Sequence, residues 1–286
     1  MKAAGFKLHE PTVLADALVL LGEHGDEAKV LAGGQSLVPM LALRLARFDH
    51  IVDLNRVGEL AGITRSDRSL RIGAMTRHRA VEQSAEVVAS VPLLARATTQ
   101  VGHFQIRNRG TLGGSIAHAD PAAEQPAVCL ALDAVMEVTS SRGTRDVRAE
   151  DFFKGTWATA LAPDELLAAV RFSVWEGRCG FAVEELARRH GDFALVGVVC
   201  AVSLDEAGAV AKAALGLFGV GSTPIRGKEA ERALLAGACS LDAANAAMAE
   251  VEPSDDLHAS GSYRRRVTGV LVRRAIDRAL EEAKRG

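Results

Sequence analysis

The stretch that decides the fold is Lys29-Val30-Leu31-Ala32-Gly33-Gly34-Gln35-Ser36, in which a short apolar segment runs into two adjacent glycines. Residues 29–32 are typical of a buried strand, and the apolar spacing of residues 37–48 predicts a helix. Ser36 is a candidate N-cap of that helix. Residues 50–54 predict a second strand. The order strand, glycine turn, helix, strand indicates a βαβ unit whose two strands are parallel.

The glycine pair of this turn suits the binding of an anion. Glycine has no Cβ, so a ligand can approach the backbone closely and positive φ angles are allowed. The N–H groups and the dipole at the N-terminus of the following helix favour a phosphate group. A tight turn that binds nothing explains the same residues equally well, and this motif alone leaves both interpretations open.

A second glycine pair occurs in Thr111-Leu112-Gly113-Gly114-Ser115, within a polar segment, residues 102–121, that is predicted to be a long loop. Its hydroxyl and backbone N–H groups could donate hydrogen bonds to a pyrophosphate. Two such segments predict a ligand held from both sides, and a dinucleotide is large enough for that. Asp120 and Glu124 stand at the entry of the next predicted helix, where they could serve the helix N-terminus or ribose hydroxyls.

The rest of the chain predicts an α+β fold with more than one domain. The chain has 286 residues, whereas a domain usually has about 100–200. Short strands and helices alternate after residue 58, and residues 194–204 and 210–218 predict an antiparallel pair of strands. Three further helices are expected to begin near Thr223–Pro224, Leu241 and Tyr263.

Composition and missing motifs disfavour several function classes. Lys and Arg number 34 against 36 Asp and Glu, and aromatic residues make up 4%, which argues against nucleic-acid binding. The G-x-G-x-x-G, complete Walker A and G-x-S-x-G motifs are absent. The four cysteines are widely spaced, so zinc-ribbon, redox C-x-x-C and self-contained iron–sulfur sites are disfavoured. His118 and Asp120 are too sparse for a metal site, and no metal is expected on this chain.

The sequence also predicts where in the cell the protein resides. No apolar stretch reaches the about 20 residues that a membrane-spanning helix needs, and no secretory signal is evident. Few cysteines fit a reducing compartment. A cytoplasmic protein without a membrane span is therefore expected.

Taken together, the two glycine segments resemble the two FAD signatures of the FAD-binding medium subunits of molybdenum hydroxylases. That family includes aerobic carbon monoxide dehydrogenase, xanthine dehydrogenase and bacterial nicotine and quinoline dehydrogenases. The resemblance covers nearly the whole chain. It extends to four further stretches, Ile51–Leu54, Ile72–Thr76, Gln105–Gly110 and Arg188–Phe193.

The resemblance implies a two-lobed FAD-binding domain over residues 1–177, followed by a C-terminal flavoprotein domain over residues 178–286. The first lobe, about 1–57, is a small α/β unit, and the second, about 58–177, is a larger α+β unit. The C-terminal domain has a small antiparallel sheet and helices. The cofactor-binding residues implied are Leu31, Ala32, Gly33, Gly34, Gln35, Ser36, Leu37, Thr111, Leu112, Gly113, Gly114, Ser115, Asp120, Glu124 and Phe193.

Three positions depart from the pattern of many relatives. Ser115 stands where asparagine is common, and Phe193 stands where several relatives have tyrosine. Glu185 stands where some have lysine, so a cationic contact to FAD is not expected there. Ser115 and residues 117–120 look closer to the nicotine-type branch than to carbon monoxide dehydrogenase.

The resemblance also implies a function. FAD is expected on this chain, with the molybdenum cofactor on a large partner subunit and [2Fe–2S] clusters on a small one, in a dimer of heterotrimers. The chain would take electrons from the [2Fe–2S] subunit and pass them to an external acceptor, during oxidation of an N-heterocycle or similar small molecule. None of its residues is expected to be catalytic. The alternatives are a self-sufficient flavoprotein oxidoreductase and a non-redox nucleotide-binding module.

Overall fold

The computed structural model describes residues 2–286, and its first unit is a small sheet of three parallel strands in the order β1-β3-β2. The predicted βαβ unit is confirmed, because Val30 pairs in parallel with Val52. Ser36 precedes the intervening helix but makes no side-chain cap, and Arg44, at φ 59°, ends the helical turns earlier than predicted. The elements are β1 (Lys7–His9), α1 (Leu14–His24), β2 (Ala28–Leu31), α2 (Leu37–Ala42) and β3 (His50–Asp53).

The second unit is a five-stranded antiparallel sheet in the order β4-β5-β10-β6-β7, with helices packed on it and a separate two-stranded sheet. The long loop predicted over residues 102–121 is wrong, because this segment forms two short helices, α6 and α7. The elements are β4 (Ile63–Arg65), β5 (Ser69–Gly73), α3 (His78–Gln83), α4 (Ala85–Ser90), α5 (Pro92–Gln100), α6 (Phe104–Arg109), α7 (Leu112–His118), α8 (Glu124–Ala131), β6 (Val135–Ser140), β7 (Gly143–Arg148), α9 (Ala149–Phe152), β8 (Phe153–Gly155), β9 (Ala158–Thr159) and β10 (Leu166–Ser173).

The third unit is a four-stranded antiparallel sheet covered on one face by helices. The antiparallel pair predicted from residues 194–204 and 210–218 is confirmed. The helix predicted to begin near Thr223–Pro224 begins later, at Lys228, because Ile225 and Arg226 pair with the preceding strand instead. The elements are β11 (Arg178–Ala187), β12 (Ala194–Leu204), β13 (Val210–Phe218), β14 (Ile225–Arg226), α10 (Lys228–Leu235), α11 (Ser240–Glu250) and α12 (Gly261–Arg285).

Hydrophobic packing joins the second and third units. Phe152 and Phe172 of the second unit belong to the same core as Phe181 and Phe218 of the third. The other face of the third sheet packs on α12, where a Cβ on Gly180 would overlap the carbonyl of Ala279. The α+β fold is thus confirmed, and the division at residues 177 and 178 stays a prediction. No helix within residues 2–286 has the length and apolar character needed to cross a membrane.

Candidate functional site

The two glycine segments, residues 31–37 and 111–115, lie against each other. A Cβ on Gly33 would overlap the carbonyl oxygen of Arg109 and lie 2.6 Å from the Cα of Gly110. A Cβ on Gly114 would lie 3.2 Å from the Cβ of Ala32. The fold therefore brings together two segments that are far apart in sequence. They can approach this closely only because residue 33 is a glycine.

Hydrogen bonds through Asn55 and Arg77 hold the first glycine segment close to the residues that precede the second. The side-chain amide of Asn55 donates to the carbonyl oxygen of Ala32 at 2.9 Å. The Arg77 guanidinium donates to the Asn55 side-chain oxygen at 2.7 Å and also to the carbonyl oxygen of Arg109. Burial, and then the neighbouring Arg109, lower the pKa of Arg77. Neither Asn55 nor Arg77 was predicted from the sequence, although Asn55 follows β3 at the strand end where the first glycine segment also begins.

The first segment presents free backbone donors. Leu31 ends β2, Ala32 to Ser36 form the turn, and Leu37 begins α2. Within residues 2–286, the N–H groups of residues 33–36 have no hydrogen-bond acceptor in the protein. Gly34 has a φ of 76°, which favours glycine, and Gln35 folds back to donate to the carbonyl oxygen of Gly33 at 3.1 Å. A row of free N–H groups ahead of a helix favours an anionic ligand.

The second segment uses its backbone donors within the protein. The N–H groups of Leu112 to Ser115 donate at 2.8–3.1 Å to the carbonyls of Thr76 and Ala74 and to the hydroxyl and carbonyl of Thr111. Thr111 is therefore the cap of α7 and is buried, as are Leu112 and Gly113. Neither Gly33 nor Gly114 has a positive φ, so both are glycine for reasons of packing. What remains available to a ligand is the Ser115 hydroxyl.

Asp120 stabilises the turn that follows α7. One oxygen of its carboxylate accepts from the N–H of Ala122 at 2.9 Å, and the other accepts from the indole N–H of Trp157 at 3.4 Å. The indole lies parallel to the His118 ring, with 6.2 Å between centroids, and is 59% exposed. These contacts fix the C-terminal end of α7.

Glu124 is the first residue of α8 and is buried. Burial, with a smaller contribution from Glu185, raises the pKa of Glu124 to about 8. Burial also raises the pKa of Glu185 to about 7. Within residues 2–286 one carboxylate oxygen of Glu185 has no hydrogen-bond partner, and the same holds for the side-chain oxygen of Gln125. This corner of the site is therefore a low-dielectric environment with unused polar atoms.

The loop between β11 and β12 connects the third unit to this region. Gly191, at φ 87°, packs so closely on His103 that a Cβ would lie 2.5 Å from the ring. His103 immediately precedes α6, whose end at Arg109 contacts the first glycine segment. Phe193, in the same loop, is 68% exposed. The loop that carries Phe193 is thus linked through His103 and α6 to the first glycine segment.

Two cavities flank the glycine segments without including them. The larger, about 370 Å³, lies between residues 54–63 and residues 75–80 and includes Asn55 and Arg77. The smaller, about 260 Å³, is lined by Gln100 and residues 185–191.

Residues 4–175 match the family model described as the FAD binding domain in molybdopterin dehydrogenase, and residues 181–279 match the CO dehydrogenase flavoprotein C-terminal domain. The chain belongs to the FAD-binding medium subunits of the molybdenum hydroxylases. This medium subunit is 40% identical to the 6-hydroxypseudooxynicotine dehydrogenase complex subunit alpha of Paenarthrobacter nicotinovorans, over 99% of this chain and 97% of that one.

Two solved structures resemble the medium subunit over its whole length. A chain of the carbon monoxide dehydrogenase of Hydrogenophaga pseudoflava has a TM-score of 0.96 and 38% identity, with 99% of each chain covered. A chain of quinoline 2-oxidoreductase from Pseudomonas putida 86 has a TM-score of 0.93 and 35% identity, also with 99% of each chain covered. The resemblance predicted from the two glycine segments is confirmed.

Proposed function

We propose that this medium subunit binds one FAD, with the pyrophosphate at the first glycine segment. The four free N–H groups of residues 33–36 carry this proposal, because they form the only row of unused donors in either segment among the described residues. Backbone N–H groups at a helix N-terminus suit a phosphate. Leu31, Ala32 and Leu37 flank this row and complete its walls.

The second segment would close the site from the other side. Thr111 and Leu112 anchor α7, Gly113 and Gly114 let this helix pack closely on Ala74 and Ala32, and the Ser115 hydroxyl would donate to the cofactor. Asp120 would hold the end of α7 in place and offer its carboxylate to sugar hydroxyls. Glu124, whose raised pKa keeps it protonated near neutral pH, would donate a hydrogen bond as a neutral carboxyl. Phe193 would cover the flavin ring with its exposed face.

We further propose that the chain is the electron-transfer subunit of a complex. Bound FAD would supply one- and two-electron redox chemistry, while the protein binds and orients it and excludes water. The chain would receive electrons from a small [2Fe–2S] subunit, beside a large subunit that carries the molybdenum cofactor, and pass them to an external acceptor. A dimer of heterotrimers in the cytoplasm is the proposed assembly. Four unpaired cysteines fit such a reducing compartment.

An N-heterocycle or similar small molecule is the proposed substrate class of the complex. The names of the pseudooxynicotine and quinoline enzymes support it. Ser115 and residues 117–120 also favour that branch. Because the proposed role of this chain is to carry electrons, substrate contacts would belong to the large subunit.

The test is to purify the complex through a tag on this chain, identify its partners, and measure flavin in a denatured extract together with iron and molybdenum. We expect about one FAD per medium subunit and two metal-bearing partners. A chain that turns over an organic substrate by itself would instead indicate a self-sufficient oxidoreductase. A chain without flavin in the intact complex would refute FAD binding and favour a non-redox nucleotide module.

A further inference from the structure

Three histidines meet at the surface of the first unit, away from the glycine segments. They are His9 at the end of β1, His24 at the end of α1 and His50 at the start of β3. The Nε2 of His9 lies 2.9 Å from the Nδ1 of His50, and the rings of His24 and His50 have centroids 3.6 Å apart. One ring nitrogen from each residue lies within 4.8 Å of the other two.

The fold builds this cluster from three separate elements. In the parallel pairing of β1 with β3, Lys7 lies opposite His50. His9 is two residues further along, so its side chain is on the same face of the sheet. The helix α1 packs over the sheet through Leu21 and ends at His24, where Gly25 at φ 48° turns the chain away. All three rings are half-buried, so they remain accessible from solvent.

The cluster is separate from the proposed FAD site. His50 pairs with Ala28 at the beginning of β2, whereas the first glycine segment begins at the other end of that strand, at Leu31. At about 3.3 Å per residue, the two ends of β2 are roughly 10 Å apart. Nothing in the proposed electron-transfer role uses these three side chains.

We propose that His9, His24 and His50 bind one divalent transition-metal ion of the Zn²⁺ class. Neutral imidazole is a preferred ligand of Zn²⁺, Cu²⁺ and Ni²⁺, and three of them leave a fourth position for water or another small ligand. Metal–nitrogen bonds of about 2.0–2.1 Å place ligand atoms up to about 4 Å apart, close to the separation of at most 4.8 Å in the cluster.

One ring must turn for the three to share an ion. The rings of His24 and His50 are stacked, with an interplanar angle of 15°, whereas a bound metal lies in the plane of each ligand ring. His24 can make this movement most easily, because it is the last residue of α1 and is followed by a glycine. His9 and His50 are joined by a hydrogen bond between Nε2 and Nδ1, which the two bonds to the metal would replace.

The experiment measures binding of Zn²⁺ alone to the purified, FAD-loaded protein by calorimetry, after removal of metals with a chelator. We expect one ion per chain in the wild type. His24→Ala and His50→Gln should each weaken binding at least tenfold, since even the loss of an outer-shell partner costs about 10–100-fold. The control His258→Ala removes an exposed histidine of the third unit and should bind Zn²⁺ like the wild type.

Flavin content shows whether each variant is folded, because the proposed FAD site shares no residue with the cluster. Zn²⁺ should also raise the melting temperature of the wild type and the His258 variant, but not that of the two cluster variants. The proposal is wrong if the folded wild type binds no stoichiometric Zn²⁺. It is equally wrong if both cluster variants keep wild-type affinity, because the ion would then bind elsewhere.

Discussion

Substituting Gly33 with alanine tests whether FAD binding depends on the contact between the two glycine segments. The new Cβ would overlap the carbonyl oxygen of Arg109 and lie 2.6 Å from the Cα of Gly110, where ordinary contact begins at 3.4 Å. The segments would have to separate by about 1 Å. Overpacking of this kind costs about 1–3 kcal/mol. If that strain appears in ligand binding, the Kd for FAD rises about 5- to 150-fold.

The assay titrates FAD into the flavin-free medium subunit and follows the flavin fluorescence. Gly22→Ala is the matched control, because it adds the same methyl group to α1 at a position with nothing within 4 Å. That variant should bind FAD like the wild type. Denaturant unfolding of both variants separates a local effect from a general loss of stability. Wild-type FAD affinity in a folded Gly33→Ala protein would refute the reasoning.

Three further predictions concern the surroundings of the site. Asn55→Ala removes the hydrogen-bonded link between the glycine segments and should weaken FAD binding by about 1–3 kcal/mol. The same FAD titration measures this effect. An unchanged Kd would mean that packing alone holds the segments together. Burial raises the pKa of Glu124 from 4.5 to about 8. Between these two pH values the folded chain keeps a proton that the unfolded chain loses. The free energy of unfolding should therefore fall as pH rises from about 4.5 to about 8, and then level off. Glu124→Gln should flatten that decline in denaturant unfolding of the flavin-free chain, and an unaltered slope would assign the decline to other groups. Burial raises the pKa of the Cys129 and Cys200 thiols. A thiol reagent added to the native protein should therefore modify the exposed Cys239 first and leave Cys129 and Cys200 unreacted until the protein unfolds. Early modification of either buried thiol would contradict its burial.

Sequence reasoning located the elements whose pattern is local. Residues 194–204 and 210–218 form strands with the predicted bounds, because each is an apolar run that ends at a polar turn. The strand β11 was missed, since its residues acquire their partners from β12 and from α12 over Gly180. Tertiary pairing likewise made a strand of Ile225 and Arg226, where Thr223 and Pro224 had favoured a helix.

The helices α6 and α7 illustrate a different limit. Glycine is a poor helix former, so Gly113 and Gly114 make the segment look like a loop. In the structure Thr111 caps α7 by accepting from the N–H of Gly114, and Gly113 fits against Ala74, where a larger residue would collide. The cap and the close contact together outweigh the low helical propensity of the two glycines.

The two glycine segments look equivalent in sequence but differ in how they use their backbone N–H groups. Within residues 2–286, the first leaves the N–H groups of residues 33–36 without a protein acceptor, whereas the second uses the N–H groups of Leu112 to Ser115 in fixing α7. Sequence cannot distinguish these cases, because two of the acceptors for the second segment, the carbonyls of Ala74 and Thr76, come from the turn after β5, far away in the chain. The hydrogen-bonded link through Asn55 and Arg77 cannot be predicted from the sequence either, since these side chains meet only in the folded protein. In the proposed site the first segment would therefore supply the backbone donors to a phosphate, while the second, fixed by its own hydrogen bonds, would hold the Ser115 hydroxyl in place.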